Sequence, residues 1–356
     1  MNYLSPRLKN ALEQESKTWL VTGAAGFIGS HIAEQLLNAG QRVRVLDNLS
    51  TGKIANVKML QKLADQISKP TDSPSQISSR FTFIEGSVAD ISLCKEAVKG
   101  VDIIIHEAAL GSVPRSLVSP LDSHESNATG QVTLLTAAKE EGVKRFVYAS
   151  SSSVYGNNQD MPKIEPNLGD QLSPYAVTKR INELYSYVFN HHFGIETIGL
   201  RYFNVFGPRQ HADSVYAAVI PKWINAIMSN SQTVIYGNGE TSRDFTFIAN
   251  VVEGTILSGL VKNPNLYGGA LNLGLGGKVS LNELHQLIVS AYTKLVPGAK
   301  VLPPLKQDFR AGDILHSQAS IEKAKTLLGF EPRYSVNEGI DETVKWFVEK
   351  NRVSEV

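Results

Sequence analysis

The 356-residue chain is 42% hydrophobic and 19% charged, and its 35 basic and 34 acidic side chains leave a formal net charge of +1. That balance fits an ordinary globular protein and supplies no field that would draw it to a polyanion or an acidic membrane, which argues against nucleic-acid and membrane partners. Cys94 is the single cysteine, which excludes an internal disulfide and a cysteine-rich metal site; its neighbours Ile91, Ser92 and Leu93 point to a buried side chain in a reducing compartment. Met1 to Lys17 carries charges throughout and lacks the apolar centre of a signal peptide, and no run reaches the roughly 18 apolar residues of a membrane span. The sequence therefore reads as cytoplasmic.

Trp19–Thr22 is a short apolar run that meets a glycine cluster and is followed by Ile32, Leu36 and Leu37 at helical spacing, which predicts strand, turn and helix. Val43–Asp47, Phe81–Ile84, Val101–Ile105 and Arg145–Ala149 read as further strands, with helical patterns between most of them. The alternation predicts an α/β fold with a doubly wound parallel sheet. From about Ala64 to Arg80 the chain turns polar and rich in Ser and Pro, which predicts an insertion without secondary structure. After Phe206 short strands such as Thr233–Tyr236 mix with helices, as in a smaller substrate-covering domain, while Ile198–Arg201 and Ala270–Leu273 read as additional sheet strands. The expected division is a Rossmann domain over residues 1–205 with a return near 245–275, and a second domain from 206–244 and 276–356.

Gly23, Gly26 and Gly29 stand where the first strand gives way to a helix, with Phe27 and Ile28 between the last two. Glycines there let the backbone turn tightly and approach a pyrophosphate at the helix N-terminus. Asp47 follows 24 residues after Gly23 at the end of the second strand. A carboxylate in that place accepts hydrogen bonds from the adenosine ribose and repels a 2′-phosphate, so the cofactor is predicted to be NAD rather than NADP.

Tyr175 and Lys179, four residues apart, fall on one face of a predicted helix. An ammonium and the positive charge of a nicotinamide would stabilise the tyrosine's phenolate and lower its pKa from about 10, making it a usable base. Upstream, Ser150, Ser151, Ser152 and Ser153 follow a buried strand at the carboxyl edge where α/β sheets bind ligands. His191 and His192 have no third ligand at sensible spacing, so no metal site is predicted.

The glycine spacing, the Asp47-Asn48-Leu49-Ser50-Thr51-Gly52 element and the Ser, Tyr, Lys set resemble extended short-chain dehydrogenases/reductases, from about Lys17 to the C-terminus. The resemblance implies that Asn48, Ser50 and Gly52 line the adenosine phosphate, that Ser87 and Val88 flank the adenine, and that Ala108, Ala109, Asn127 and Tyr202 line the cofactor. Ser87 departs from the family's usual Asp. By the same resemblance Ser151 is the catalytic hydroxyl beside Tyr175 and Lys179, with Ser152 and Ser153 shaping the sugar pocket. Related dehydratases place an Asp-Glu pair, and related decarboxylases a Glu, where this chain has Ser152 and Ser153, which leaves epimerisation at C4.

Within the family the chain is most similar to bacterial epimerases of N-acetylated UDP-hexosamines, including the Ala109–Ser116 loop with Ser112. Asn204, Val219, Tyr236, Arg243, Arg310 and Asp313 are implied on the UDP-sugar side, the arginines clamping the diphosphate with forked donors and Asp313 meeting the uridine ribose. Ser317 stands at a gatekeeper position that is a bulky Tyr in relatives restricted to non-acetylated hexoses, so a UDP-GlcNAc/UDP-GalNAc pair is expected. UDP-hexuronates and UDP-N-acetylhexosaminuronates are alternative substrates with the same C4 chemistry, and a non-catalytic NAD-binding regulator is a remote one. Relatives commonly pair through the helix bearing Tyr175 and Lys179, which implies a homodimer.

Overall fold

The computed structural model describes residues 3–67, 80–212, 217–308 and 315–354. Its frame is a seven-stranded parallel sheet: β1 (Thr18–Thr22), β2 (Arg42–Asp47), β3 (Phe81–Glu85), β4 (Ile103–His106), β5 (Arg145–Ser151), β6 (Glu196–Tyr202) and, from far downstream, Gly269–Leu273. Spatially β3, β2, β1, β4, β5 and β6 lie in that order, with Gly269–Leu273 outside β6. The order reverses between β1 and β4, and the crevice above that switch point is where an α/β sheet takes a ligand. Apolar runs fill these strands because both faces are covered; β1, β4 and β5 are almost entirely buried.

An N-terminal helix, Pro6–Gln14, lies outside the predicted pattern; Ser5 caps it, and Leu8 and Leu12 face the core. Gln41 fastens its end to the sheet, donating to the Leu12 carbonyl at 2.7 Å and accepting from the Trp19 indole at 3.0 Å. Of the insertion expected from about Ala64 to Arg80, residues 68–79 lie outside the described residues, and its first residues belong to a helix instead. Ala64 is buried one helical turn beyond Leu60 in the helix Ile54–Ile67, because the apolar spacing of Val57, Leu60 and Ala64 continues into the polar stretch.

The helix Pro174–Phe193 has clear local causes: Ser173 accepts from the Ala176 amide, Pro174 occupies the first turn, and Gly194 ends it with φ +67°. A buried ion pair sets its place on the sheet. Glu183 accepts from Arg201 of β6 at 2.8 and 3.0 Å, and from the hydroxyl of Ser150 on β5 at 2.7 Å. Arg201 also donates to the Tyr155 hydroxyl at 3.0 Å and the Glu165 carbonyl at 2.8 Å.

Among the described residues, from Val205 onward come three two-stranded ribbons, one of them joining Val234–Tyr236 to Leu305–Gln307, and the helices Val219–Met228, Leu281–Leu295 and Val336–Ser354. The main core runs through both regions, with Val21, Ile105 and Val147 of the sheet in one cluster with Trp223, Ile288 and Val344.

Removing one member of the buried pair strands the other's charge. Glu183→Ala is expected to lose about 3–5 kcal/mol of stability, read from the fall in the denaturation midpoint; a loss of less than ~1 kcal/mol would show that Arg201 finds another partner.

Candidate active site

The turn after β1 closes tightly. Gly23 has φ +71°, and a Cβ on it would lie 2.7 Å from the Ala108 nitrogen; one on Gly29 would lie 2.5 Å from the Gly23 carbonyl oxygen. Gly26 begins the helix Phe27–Asn38 with no side-chain cap, which leaves first-turn amides to a ligand's oxygens. Asp47 braces the turn, accepting from the Ala25 amide at 2.9 Å and the Leu49 amide at 2.8 Å. Burial raises its carboxyl above the usual range, against the pull of those two amides.

A cavity of about 310 Å³ runs over this turn. Its wall holds Gly23, Gly26, Phe27, Ile28, Gly29, Asp47, Asn48, Ser50, Gly52, Ser87, Val88, Ala108 and Ala109, each a residue predicted from the sequence. A glycine-built cradle that any Cβ would fill, with uncapped amides at one side and a carboxylate at the ribose end, suits a dinucleotide without a 2′-phosphate. NAD fits these residues.

A second cavity, of about 270 Å³, adjoins the first and holds Ser151, Tyr175, Lys179, Tyr202 and Asn204. The register that pairs Ser151 with Tyr202 brings the ends of β5 and β6 to it. Lys179 is buried and donates to the Ala149 carbonyl at 2.8 Å, with its nitrogen 5.9 Å from the Tyr175 ring centre. Burial lowers its pKa to about 8, against the pull of Glu107. Tyr175 touches the Ser151 hydroxyl, yet its pKa is raised: burial outweighs that hydrogen bond, and Glu107 adds to the rise. The protein's own groups therefore do not deliver the lowered phenol expected from the sequence; a bound nicotinamide's positive charge would act in the lowering direction.

Several predicted residues take other places. Ser152 and Ser153 enter a 3₁₀ turn, Ser152–Tyr155, outside the wall of this cavity, because the Ser151 hydroxyl accepts from the Ser153 amide and folds the chain back. Asn127 is fully buried, and its amide group spends both donors inside the protein, on the Leu110 carbonyl and the Thr178 hydroxyl. It thereby pins the loop after β4 to the Pro174–Phe193 helix instead of lining the cofactor cavity.

Of the residues the sequence assigns to the substrate, Ser112 has φ +102° and caps Val113–Val118 beside a third cavity of about 490 Å³. Arg243 and Ser317 are brought together: Arg243 donates to the Leu315 carbonyl at 3.1 Å, and the Ser317 amide donates to the Ser242 carbonyl at 3.1 Å. Asp244 holds the same segment, accepting from the Ala319, Leu275 and Gly276 amides. Val219 opens the helix Val219–Met228 and Tyr236 ends a ribbon strand. Arg310 and Asp313 lie outside the described residues.

Sequence reasoning missed Glu107, Arg115 and His211. Arg115 and His211 line both the first and third cavities. Glu107 directly follows β4 at the carboxyl edge, a position that would have flagged it, and it accepts from the Tyr202 hydroxyl at 2.6 Å. Burial pushes its pKa up to about 7, although Tyr202 and Lys179 pull it down.

Glu107 thus binds its proton more tightly folded than unfolded, so its contribution favours folding below pH 4.5 and is lost as pH rises through about 7. Glu107→Gln is expected to stabilise NAD-stripped protein by about 1–3 kcal/mol at pH 8 and to change little at pH 5. Thermal melts at the two pH values test this, and equal shifts at both would contradict it.

The family model for the NAD-dependent epimerase/dehydratase family matches residues 19–274. The UDP-glucuronate 4-epimerase of Thermodesulfobacterium geofontis is 33% identical over 92% of this chain and 95% of its own. The solved UDP-N-acetylglucosamine 4-epimerase of Methanobrevibacter ruminantium, in complex with UDP-N-acetylmuramic acid, is 36% identical with a TM-score of 0.82, covering 94% of this chain and 99% of its own. The UDP-glucose 4-epimerase of Thermus thermophilus, solved with NAD, is 29% identical with a TM-score of 0.77 over 93% and 99%. With its glycine turn, Asp47 and the Ser151, Tyr175, Lys179 cavity, the chain belongs to the NAD-dependent epimerase/dehydratase family, on the scaffold of extended short-chain dehydrogenases/reductases.

Proposed function

We propose that the protein interconverts UDP-N-acetylglucosamine and UDP-N-acetylgalactosamine by inverting C4. The observation that carries this reading is the single cavity in which Tyr175, its Ser151 contact and the buried Lys179 meet, continuous with the dinucleotide cradle. The kinship with 4-epimerases that act on UDP-sugars supports it.

Bound NAD supplies the reversible two-electron oxidation at C4. Tyr175 takes the proton of the 4-hydroxyl, directly or through Ser151, and returns it when the sugar is restored. Lys179, held on the Ala149 carbonyl, supplies positive charge to the same wall and is placed to hold the nicotinamide ribose. Inversion requires the sugar to be restored from its other face, so the protein must grip the nucleotide and leave the hexose free to turn. Asn204, whose amide nitrogen is tied to the Asp244 carbonyl, and Arg243 serve the grip, with Arg310 and Asp313 assigned to the diphosphate and uridine ribose by resemblance. Ser317 beside Arg243 leaves room for an N-acetyl group at C2. Residues 1–205 with the return near 245–275 form the cofactor-binding part, and 206–244 with 276–356 the part that covers the sugar nucleotide.

The test is incubation of purified protein with UDP-N-acetylglucosamine, followed by proton NMR, beside UDP-glucose and the corresponding uronic acids. Conversion of the N-acetylated neutral sugar is expected, lost by at least about 10³-fold in Tyr175→Phe and selectively lost for N-acetylated sugars in Ser317→Tyr. Turnover confined to the uronic acids would replace the proposed substrate with a hexuronate, and no turnover at all would favour a non-catalytic NAD-binding role.

We also propose that the protein is a dimer of two copies of this chain. Val177, Leu184, Tyr187 and Val188 are exposed on the Pro174–Phe193 helix, next to exposed Leu117, Val118 and Leu121 on Val113–Val118 and Pro120–His124. An exposed apolar face of this kind would be covered by the same face of a second copy about a two-fold axis. Light scattering should give twice the chain mass, and Leu184→Glu should halve it; a wild-type monomer would refute the pairing.

A further inference from the structure

The two cavities share four wall residues, Ile28, Glu107, Ala109 and Gly111. A dinucleotide whose phosphates rest on Gly23–Gly29 must pass this shared wall for its reactive ring to reach Ser151 and Tyr175. Of the four, Glu107 alone carries charge. It is also the one carboxylate among the described residues lining the second cavity.

Its surroundings fix its position and accommodate it in either charge state. Tyr202 of β6 contacts Glu107 at 2.6 Å and Thr255 at 2.9 Å, and Thr255 lies 2.7 Å from the Val251 carbonyl. Rotating the two hydroxyls lets this chain serve Glu107 either as a carboxylate, with Tyr202 donating to it, or as an acid donating to Tyr202, without moving a heavy atom. The Pro174–Phe193 helix presents Lys179 and Tyr175 to the same carboxylate. Lys179 keeps its bond to the Ala149 carbonyl and has no ion pair to Glu107 within bridging distance, so the carboxylate remains available to a second cation.

We propose that Glu107 is the counter-ion of the nicotinamide ring and sets the redox balance of the bound cofactor. The oxidised ring is a cation and the reduced ring is neutral, so a fixed carboxylate at the shared wall stabilises the oxidised form selectively. An enzyme that must return to the sugar the electrons it has taken benefits from this bias: the reduced cofactor hands them back readily, and the oxidised sugar persists only briefly. The inference rests on the proposed placement of the nicotinamide end at the shared wall.

The test compares NAD and NADH binding to NAD-stripped wild type and Glu107→Gln by calorimetry, independently of turnover. Gln keeps the shape and an acceptor for Tyr202 while removing the charge. The ratio of NAD to NADH affinity is expected to fall about tenfold in the variant; a ratio within twofold of wild type overturns the proposal. If Glu107→Gln does not fold, Glu107→Met carries the same comparison with the same two outcomes. A wild-type protein that binds neither form would instead refute the site assignment, so the two failures are distinguishable.

Discussion

The ion pair between Glu183 and Arg201 is the contact on which the arrangement of this molecule turns. Both side chains are about 95% buried, and a buried pair is tolerable only when its remaining hydrogen-bonding capacity is used. Ser150, Tyr155 and the Glu165 carbonyl use it. The result is that the Pro174–Phe193 helix cannot slide or rotate on the sheet without breaking several bonds at once. Tyr175 and Lys179 lie two turns and one turn before Glu183, so the register of the helix is also the register of the site. Ser151, the next residue after Ser150 on β5, is fixed by the same anchor.

Within the site the dominant physical effect is desolvation, and it acts on three groups with opposite sign. It pushes Tyr175 and Glu107 toward their neutral acids and Lys179 toward its neutral amine. Glu107 and Lys179 are thereby brought close to a change of charge, whereas Tyr175 is held in its neutral form. A cationic ring entering such a space tips all three groups, favouring phenolate and carboxylate while opposing the ammonium.

The second region does its work through backbone pinning. Asp244 gathers the amides of Leu275, Gly276 and Ala319, and Ser242 bonds the Leu315 and Ser317 backbone on either side of His316. These bonds fix the rim that carries Arg243 and Ser317. A single core shared by sheet and rim keeps the two from separating.

The sequence by itself determined the sheet, the glycine turn with Asp47, and the pairing of Tyr175 with Lys179, since each depends on local periodicity or on spacing within one strand-turn-helix unit. The small strand Ala270–Leu273 was legible for the same reason, as a short apolar run between turn residues. Only the tertiary structure decided the rest. Asn127 became a buried pin because its donors met Leu110 and Thr178, residues 17 and 51 positions away. Ser152 and Ser153 turned out of the cavity because of one bond to Ser151, and Ala64 joined a helix that its polar surroundings concealed. Glu107 acquired its meaning from Tyr202 and Lys179, which reach it from another strand and another helix. Charge and burial are sums over neighbours that a linear chain does not declare, so which residues would line the cavities was largely legible in advance and their electrostatics were not.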